Sequence, residues 1–191
     1  MLLASTFKDS AVSPPRCDML PPIHALLIMG VSGCGKTSVS QALCRASGAH
    51  EIEGDTFHPA ENIRKMSAGI PLTDDDRAGW LATLAELLRQ AVAAGQRPVL
   101  TCSALKLAYR ERLREAVPGL GVVFLELPRE EAARRVAERP GHFMPATLVD
   151  SQFAALEPPH DEPLTLAVDA TLPVEIIVEQ ALAWWRAHEP A

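Results

Sequence analysis

The residues of this sequence with the clearest chemical potential are those at positions 30–37, GVSGCGKT. They match the pattern G-x-x-x-x-G-K-S/T at every fixed position, and they follow an apolar run at 24–29 that predicts a buried strand. Glycines let such a loop curl until successive N–H groups point at phosphate oxygens, and the next helix adds the positive end of its dipole. The stretch therefore predicts a phosphate-binding loop, against the alternative of a glycine-rich turn that binds nothing.

Two residues of this loop carry specific roles. Lys36 can reach the β- and γ-phosphates of a nucleotide, and the Thr37 hydroxyl can ligate the Mg²⁺ that bridges them. The predicted nucleotide-binding residues are those of the loop together with the first residue after it: Gly30, Val31, Ser32, Gly33, Cys34, Gly35, Lys36, Thr37 and Ser38.

Two carboxylates follow in a second predicted strand over residues 50–55. Ligands of parallel α/β sheets bind at the carboxyl ends of the strands, so Asp55 at the end of this strand is a candidate for chemistry. Glu53, two residues earlier on the same face, is a candidate to hold a water bound to Mg²⁺. The alternative for Asp55 is a helix cap or a turn former, which Gly-Asp-Thr favours about equally.

The remaining periodicity supplies the elements that would position these residues. Further strands are predicted at 98–102, 122–127 and 164–169, and helices after the loop, over 80–92, after Lys106, over 128–138 and over 174–187. Strands that alternate with helices in this way predict an α/β fold with a parallel sheet.

Residues 56–76 have no strand character and predict a small substrate-binding insert. Arg64 and Lys65 would suit an acidic substrate there, since an arginine can engage a carboxylate through two bonds. Lys106 and Arg110, four residues apart on a helix, could share one face toward the site. The alternative for all four cations is a solvated helix surface.

Residues 139–157 begin with the proline and glycine punctuation of a hinged loop and are the lid candidate. A phosphotransferase needs closure because water is a competing acceptor. Arg139, and after it Arg135, are the candidates for the arginine that meets the transferring phosphoryl group.

Composition narrows the class of protein. With 191 residues, 48% hydrophobic and 22% charged, the chain suits one globular domain, and a net charge of −6 argues against nucleic-acid or membrane partners. Its four cysteines show no C-x-x-C pairing, which favours reduced thiols in the cytoplasm. Residues 1–22 have no helical or strand period and are expected to form a flexible tail before a kinase domain at 23–191.

Several blocks beyond the loop closely resemble the gluconate kinase (gluconokinase) family. The blocks lie at 30–37, 54–59, 62–66, 69–77, 102–106, 109–110, 141–145 and 151–157, and the resemblance as a whole extends over everything after the tail. The resemblance implies a three-layer nucleoside-kinase-like fold with a five-stranded parallel sheet, and phosphorylation of D-gluconate at its 6-hydroxyl with ATP and Mg²⁺. It implies His58 and Gln152 as substrate-binding residues besides Asp55, Arg64, Lys65, Lys106 and Arg110. A homodimer is an expectation that only the resemblance implies.

At Cys34 the loop of this chain differs from the usual pattern of the family, which resembles G-V-S-G-S-G-K. A thiol beside Lys36 and a helix N-terminus is expected to have a lowered pKa and some reactivity, and the alternative is an inert small residue. The alternative interpretation is a kinase of the shikimate or adenylate type. Such a kinase would not explain the sequence blocks at 102–106 and 142–157. A GTPase switch lacks its N-K-x-D motif, and an assembly motor would need a longer chain.

Overall fold

The structure, a computed structural model, describes residues 22–138 and 146–189. At its centre five parallel strands form one sheet in the order β2-β3-β1-β4-β5. The strands are β1 (Ala25–Met29), β2 (His50–Glu53), β3 (Pro98–Thr101), β4 (Leu120–Glu126) and β5 (Thr165–Asp169). The predicted five-stranded parallel α/β fold is confirmed.

Helices cover both faces of this sheet and complete three layers. They are α1 (Lys36–Ser47), α2 (Ala60–Ser67), α3 (Asp74–Ala93), α4 (Leu107–Ala116), α5 (Arg129–Glu138), α6 (Ala146–Ala155) and α7 (Val174–Ala187). Helix α3 begins with a capping box, in which the Thr73 hydroxyl accepts from the Asp76 N–H and the Asp76 carboxylate accepts from the Thr73 N–H.

The two faces of the sheet bury separate apolar cores. In β1, Leu26 and Ile28 pack toward the helices α1, α5, α6 and α7, whereas Leu27 and Met29 pack toward α3 and α4. This alternation follows from the two-residue period of a strand. Because β1 is buried on both faces, its sequence is a continuous apolar run, and the phosphate loop starts from the middle of the sheet.

The second strand ends two residues earlier than predicted. After Glu53 the chain enters a short 3-10 helix, Gly54–Phe57, so Asp55 lies beyond the strand. A Cβ atom at Gly54 would lie 2.2 Å from the Thr101 carbonyl oxygen, so only glycine lets the chain turn this close to β3. The prediction that the strand extends to Asp55 is therefore wrong, because the chain turns directly after Glu53.

The part of the chain predicted as a lid contains a helix that the sequence did not indicate, α6. Residues 139–145, including Arg139, lie outside the described residues, as does the predicted tail except for Pro22. Within the described ranges, no helix combines the length and apolar character needed to cross a membrane.

Candidate active site

The phosphate loop connects the carboxyl end of β1 to the N-terminus of α1. Gly30 has φ 144, and a Cβ atom there would lie 2.8 Å from the Leu125 carbonyl oxygen. The loop thus packs against β4 more closely than any other residue type would allow. The Lys36 ammonium folds back over the loop and donates to the carbonyls of Gly30 at 3.1 Å and Val31 at 3.2 Å.

Cys34 lies under the loop and not on its open side. Its side chain is buried, and this burial raises the pKa of the thiol although Lys36 acts in the opposite direction. The expected lowering of the Cys34 pKa is therefore wrong, because desolvation of a thiolate outweighs the nearby cation and the helix N-terminus.

We accordingly expect Cys34 to be labelled slowly by iodoacetamide. Burial raises the pKa of all three described cysteines, that of Cys102 to about 12, but Cys34 and Cys102 are buried whereas Cys44 is only half-buried. Peptide mass spectrometry after brief labelling should find Cys44 modified severalfold faster than the two buried thiols. Labelling of Cys34 as fast as Cys44 would restore it as a reactive loop thiol.

A chain of oxygen ligands joins α1 to the ends of β2 and β3. The Thr37 hydroxyl donates to Glu53 Oε2 at 2.8 Å, and the Thr101 hydroxyl donates to Glu53 Oε1. A hydroxyl and a carboxylate held side by side are hard oxygen donors of the kind that Mg²⁺ prefers, so Thr37 and Glu53 fit a magnesium site.

Asp55 lies in the short 3-10 helix after β2 and forms a second part of the candidate site, together with His58 and Trp80. The Trp80 indole N–H donates to the Gly54 carbonyl at 2.8 Å, which fixes the turn that carries Asp55. Trp80 also stacks on His58 with ring centroids 4.0 Å apart, and His58 Nε2 lies 4.0 Å from Asp55 Oδ1. Burial lowers the pKa of His58, so near neutral pH the ring is uncharged and forms no ion pair with Asp55. The Asp55 side chain is itself 72% exposed and faces open solvent.

A cleft of about 360 Å³, here called the Arg77 cleft, lies between the start of α3, the start of α4 and α6. The side chains that give it its character are Leu72, Asp74, Arg77, Lys106, Tyr109 and Gln152. The Lys106 ammonium reaches both Asp74 carboxylate oxygens, at 2.7 and 2.8 Å. Arg77 has no carboxylate partner among the described residues, and its guanidinium lies 5.9 Å from the Tyr109 ring centre.

Sequence reasoning did not single out Arg77. No distinct signal marked it, because an arginine that follows three aspartates has a local role: its charge offsets that of Asp74 three residues earlier on α3. A larger hollow of about 560 Å³ runs along β2, but its described lining contains neither Lys nor Arg. The Arg77 cleft is thus the better receptor for an acid.

The structure places Arg110 away from the cleft, and its predicted contact with substrate is corrected on this ground. The guanidinium is fully buried and donates to the Glu162 carboxylate and to the carbonyls of Ala104, Leu105 and Glu157. These bonds hold the loop after β3, where Ala104 has φ 43. Arg110 lies one helical turn beyond Lys106 and points behind the loop, so their shared spacing did not bring both to the site.

The other predicted cations have partners of their own. Lys65 donates to Asp76 at 2.7 Å, and the largely exposed Arg64 pairs with Glu61 in the same helix. Arg135 lies beside the phosphate loop near Gly33, but its guanidinium donates to Glu131 at 2.7 Å and to the Ala170 carbonyl at 3.0 Å. Gln152, expected to contact substrate, bonds to Ser32 in the loop.

Comparison with known proteins places this arrangement among small-molecule kinases. A family model described as an AAA domain matches residues 26–159. The gluconokinase of Gluconobacter oxydans (strain 621H) is 44% identical over 164 residues, which are 86% of this chain and 92% of that protein. The thermosensitive gluconokinase of Escherichia coli (strain K12) is 39% identical over 158 residues, 82% of this chain and 84% of that protein.

Solved structures give the same result. The crystal structure of a gluconokinase from Sinorhizobium meliloti 1021 superposes with a TM-score of 0.79 at 48% identity, covering 87% of this chain and 93% of that one. An APS kinase from Mycobacterium tuberculosis, bound to AMPPNP and APS, has a TM-score of 0.64 over 87% of this chain and 99% of that one. At 19% identity, the latter likeness shows the fold alone.

Proposed function

The chain belongs to the gluconokinase family, and from this premise we infer that it transfers the γ-phosphoryl group of ATP to the 6-hydroxyl of D-gluconate, giving 6-phosphogluconate and ADP. The predicted family is thereby confirmed, and the alternative of a shikimate-type or adenylate-type kinase finds no support among these relatives. The observation that carries the inference is that the phosphate loop follows β1 and Asp55 follows β2, so both lie at the carboxyl end of one parallel sheet.

On the nucleotide side, the loop N–H groups would bind phosphate oxygens, and Lys36 would follow the charge that moves with the γ-phosphoryl group. The Lys36 ammonium now bonds only to loop carbonyls among the described residues, so it can turn to a phosphate without breaking an ion pair. Thr37 and Glu53 would hold Mg²⁺, which when bound offsets phosphate charge.

On the acceptor side, Asp55 would accept a hydrogen bond from the 6-hydroxyl and take its proton during transfer. Its exposure leaves the carboxylate open to a substrate, and the bond from Trp80 to Gly54 fixes the backbone beside it. Arg77 and Lys106 would bind the carboxylate end of gluconate, since a charge-assisted bond from arginine is the strongest contact that the cleft offers an acid.

An ADP-release assay coupled to NADH oxidation tests this function. The purified chain should turn over with gluconate and show only background rates with shikimate or AMP. A preference for shikimate or AMP over gluconate would overturn the proposal.

We expect Arg77→Ala to raise the KM for gluconate by about 10- to 100-fold, the range of one charge-assisted hydrogen bond, while kcat changes less. A contact made equally in the ground state and the transition state contributes uniform binding, so its loss appears in KM. Arg64→Ala is the matched control, because Arg64 is an exposed cation paired within α2. Steady-state kinetics in which Arg64→Ala has the larger effect would move the carboxylate site to the insert.

We further propose a cytoplasmic location, which the free thiols Cys34, Cys44 and Cys102 support. The homodimer raised by the family resemblance also stays a proposal, and the molecular mass in solution tests it.

A further inference from the structure

Gln152 joins the phosphate loop to the Arg77 cleft through two hydrogen bonds. The Ser32 backbone N–H donates to Gln152 Oε1 at 2.6 Å, and Gln152 Nε2 donates to Ser32 Oγ at 3.0 Å. Because a backbone N–H can only donate, the amide oxygen must be the atom that faces it. The two bonds therefore fix the orientation of the Gln152 amide, and they connect α6 to a loop that is far away in the sequence.

The atom that Gln152 engages belongs to the phosphate-binding surface. Ser32 lies in the middle of the loop, whose N–H groups serve as donors to phosphate oxygens. Gln152 lines the Arg77 cleft and bonds to Ser32, so Ser32 lies next to the wall of that cleft. With the acceptor in this cleft, the terminal phosphoryl group that passes to it would lie on the same side of the loop.

A phosphate oxygen would compete with Gln152 for the same N–H. Hydrogen bonds to a charged acceptor are about twice as strong as those to a neutral one, so the phosphate should displace the amide oxygen. Helix α6 has other attachments that would keep it in place, since Val149 is buried in the core and Asp150 pairs with Arg129 at 2.7 Å. The displaced amide would thus remain at the wall of the cleft, where its NH₂ group can donate to a hydroxyl or a carboxylate.

We propose that Gln152 is a positioning residue that couples the two substrates. The terminal phosphate of ATP releases its amide from Ser32, and the released amide then contributes to binding of the acceptor in the Arg77 cleft. ADP lacks that phosphate and leaves the contact with Ser32 in place. By linkage, the acceptor raises the affinity for ATP by the same factor. This inference rests on the proposed function for the identity of the acceptor.

Calorimetric titration of gluconate in the presence of saturating AMPPNP or ADP measures the coupling. Gluconate should bind the wild-type protein at least about fivefold more tightly with AMPPNP than with ADP, the lower end of usual coupling between sites. Gln152→Leu should abolish that difference. Gln90→Leu makes the same chemical change on the exposed face of α3, where Gln90 bonds to Glu86, and should leave the difference intact. A Gln152→Leu protein that keeps the wild-type difference contradicts the proposal.

A second measurement needs no acceptor and so separates this inference from the proposed function. The ratio of AMPPNP affinity to ADP affinity should rise in Gln152→Leu, because nothing has to be displaced from Ser32. It should fall in Gln152→Glu, whose carboxylate holds the N–H more strongly and repels the phosphate. Shifts of this ratio in the same direction in both variants would overturn the role of Gln152. A wild-type protein that fails to phosphorylate gluconate would instead overturn the proposed function and leave this ratio as the test.

Discussion

Asp55→Asn should lower the turnover of gluconate by about 10²- to 10⁴-fold, the usual contribution of a positioned general base, while Mg-ATP binds almost as before. The substitution keeps the shape of the side chain and some hydrogen bonding but removes the charge that takes up the proton. The transition state of phosphoryl transfer is largely dissociative, so much of the loss would come from poorer positioning of the acceptor hydroxyl.

The control for this variant is Asp75→Asn, an identical change at an exposed residue in the first turn of α3. Turnover measured at saturating gluconate should be nearly that of the wild type in the control. If Asp55→Asn turns over normally, or if its main defect is weaker binding of Mg-ATP, then Asp55 does not act on the acceptor.

Lys36→Ala should lower kcat by about 10²- to 10³-fold, as the loss of one preorganised donor to a developing charge commonly does. The effect on ATP affinity should be smaller, because the ammonium is needed most where charge moves in the transition state. The fold should persist, since Lys36 bonds only to the Gly30 and Val31 carbonyls among the described residues.

Arg45→Ala removes a cation from the exposed last turn of the same helix and serves as the control. Kinetics and nucleotide titration should be run beside thermal unfolding for both variants. Near wild-type turnover in Lys36→Ala would exclude the role in transfer, and a large drop in Tm would assign the loss to the fold instead.

The fold could be predicted from local pattern because each element carries its own signal. The residues of β1 form a continuous apolar run before a fixed-position glycine loop, and α7 was predicted with the bounds that the structure shows, Val174–Ala187. The end of β2 was predicted two residues too late, although Gly54 and Asp55 are residue types that favour a turn over a strand. Its cause, the close approach of Gly54 to Thr101, is a contact between elements far apart in sequence.

The site was less predictable, since spacing defines a shared helix face but not what that face meets. Arg110 and Lys106 satisfy the same four-residue rule, yet Arg110 is buried against Glu162 whereas Lys106 lines the cleft. For Cys34 the sequence showed the neighbouring cation and helix start, whereas burial, which decides the direction of its pKa, depends on the packed structure. Arg77 became a candidate only when the starts of α3 and α4 were placed beside α6, and the contact of Gln152 with Ser32 only when α6 was placed beside the loop.

The order of the strands also bears on how the protein avoids self-association through its sheet. The two outer strands, β2 and β5, have 4 and 5 residues, and β2 carries two glutamates. Short, charged outer strands are poor templates for the addition of a strand from a second molecule, which is a common first step of aggregation. The more apolar strands β1 and β4 each lie between two neighbouring strands. Growth of the sheet by a strand from a second molecule is accordingly disfavoured at both of its sides.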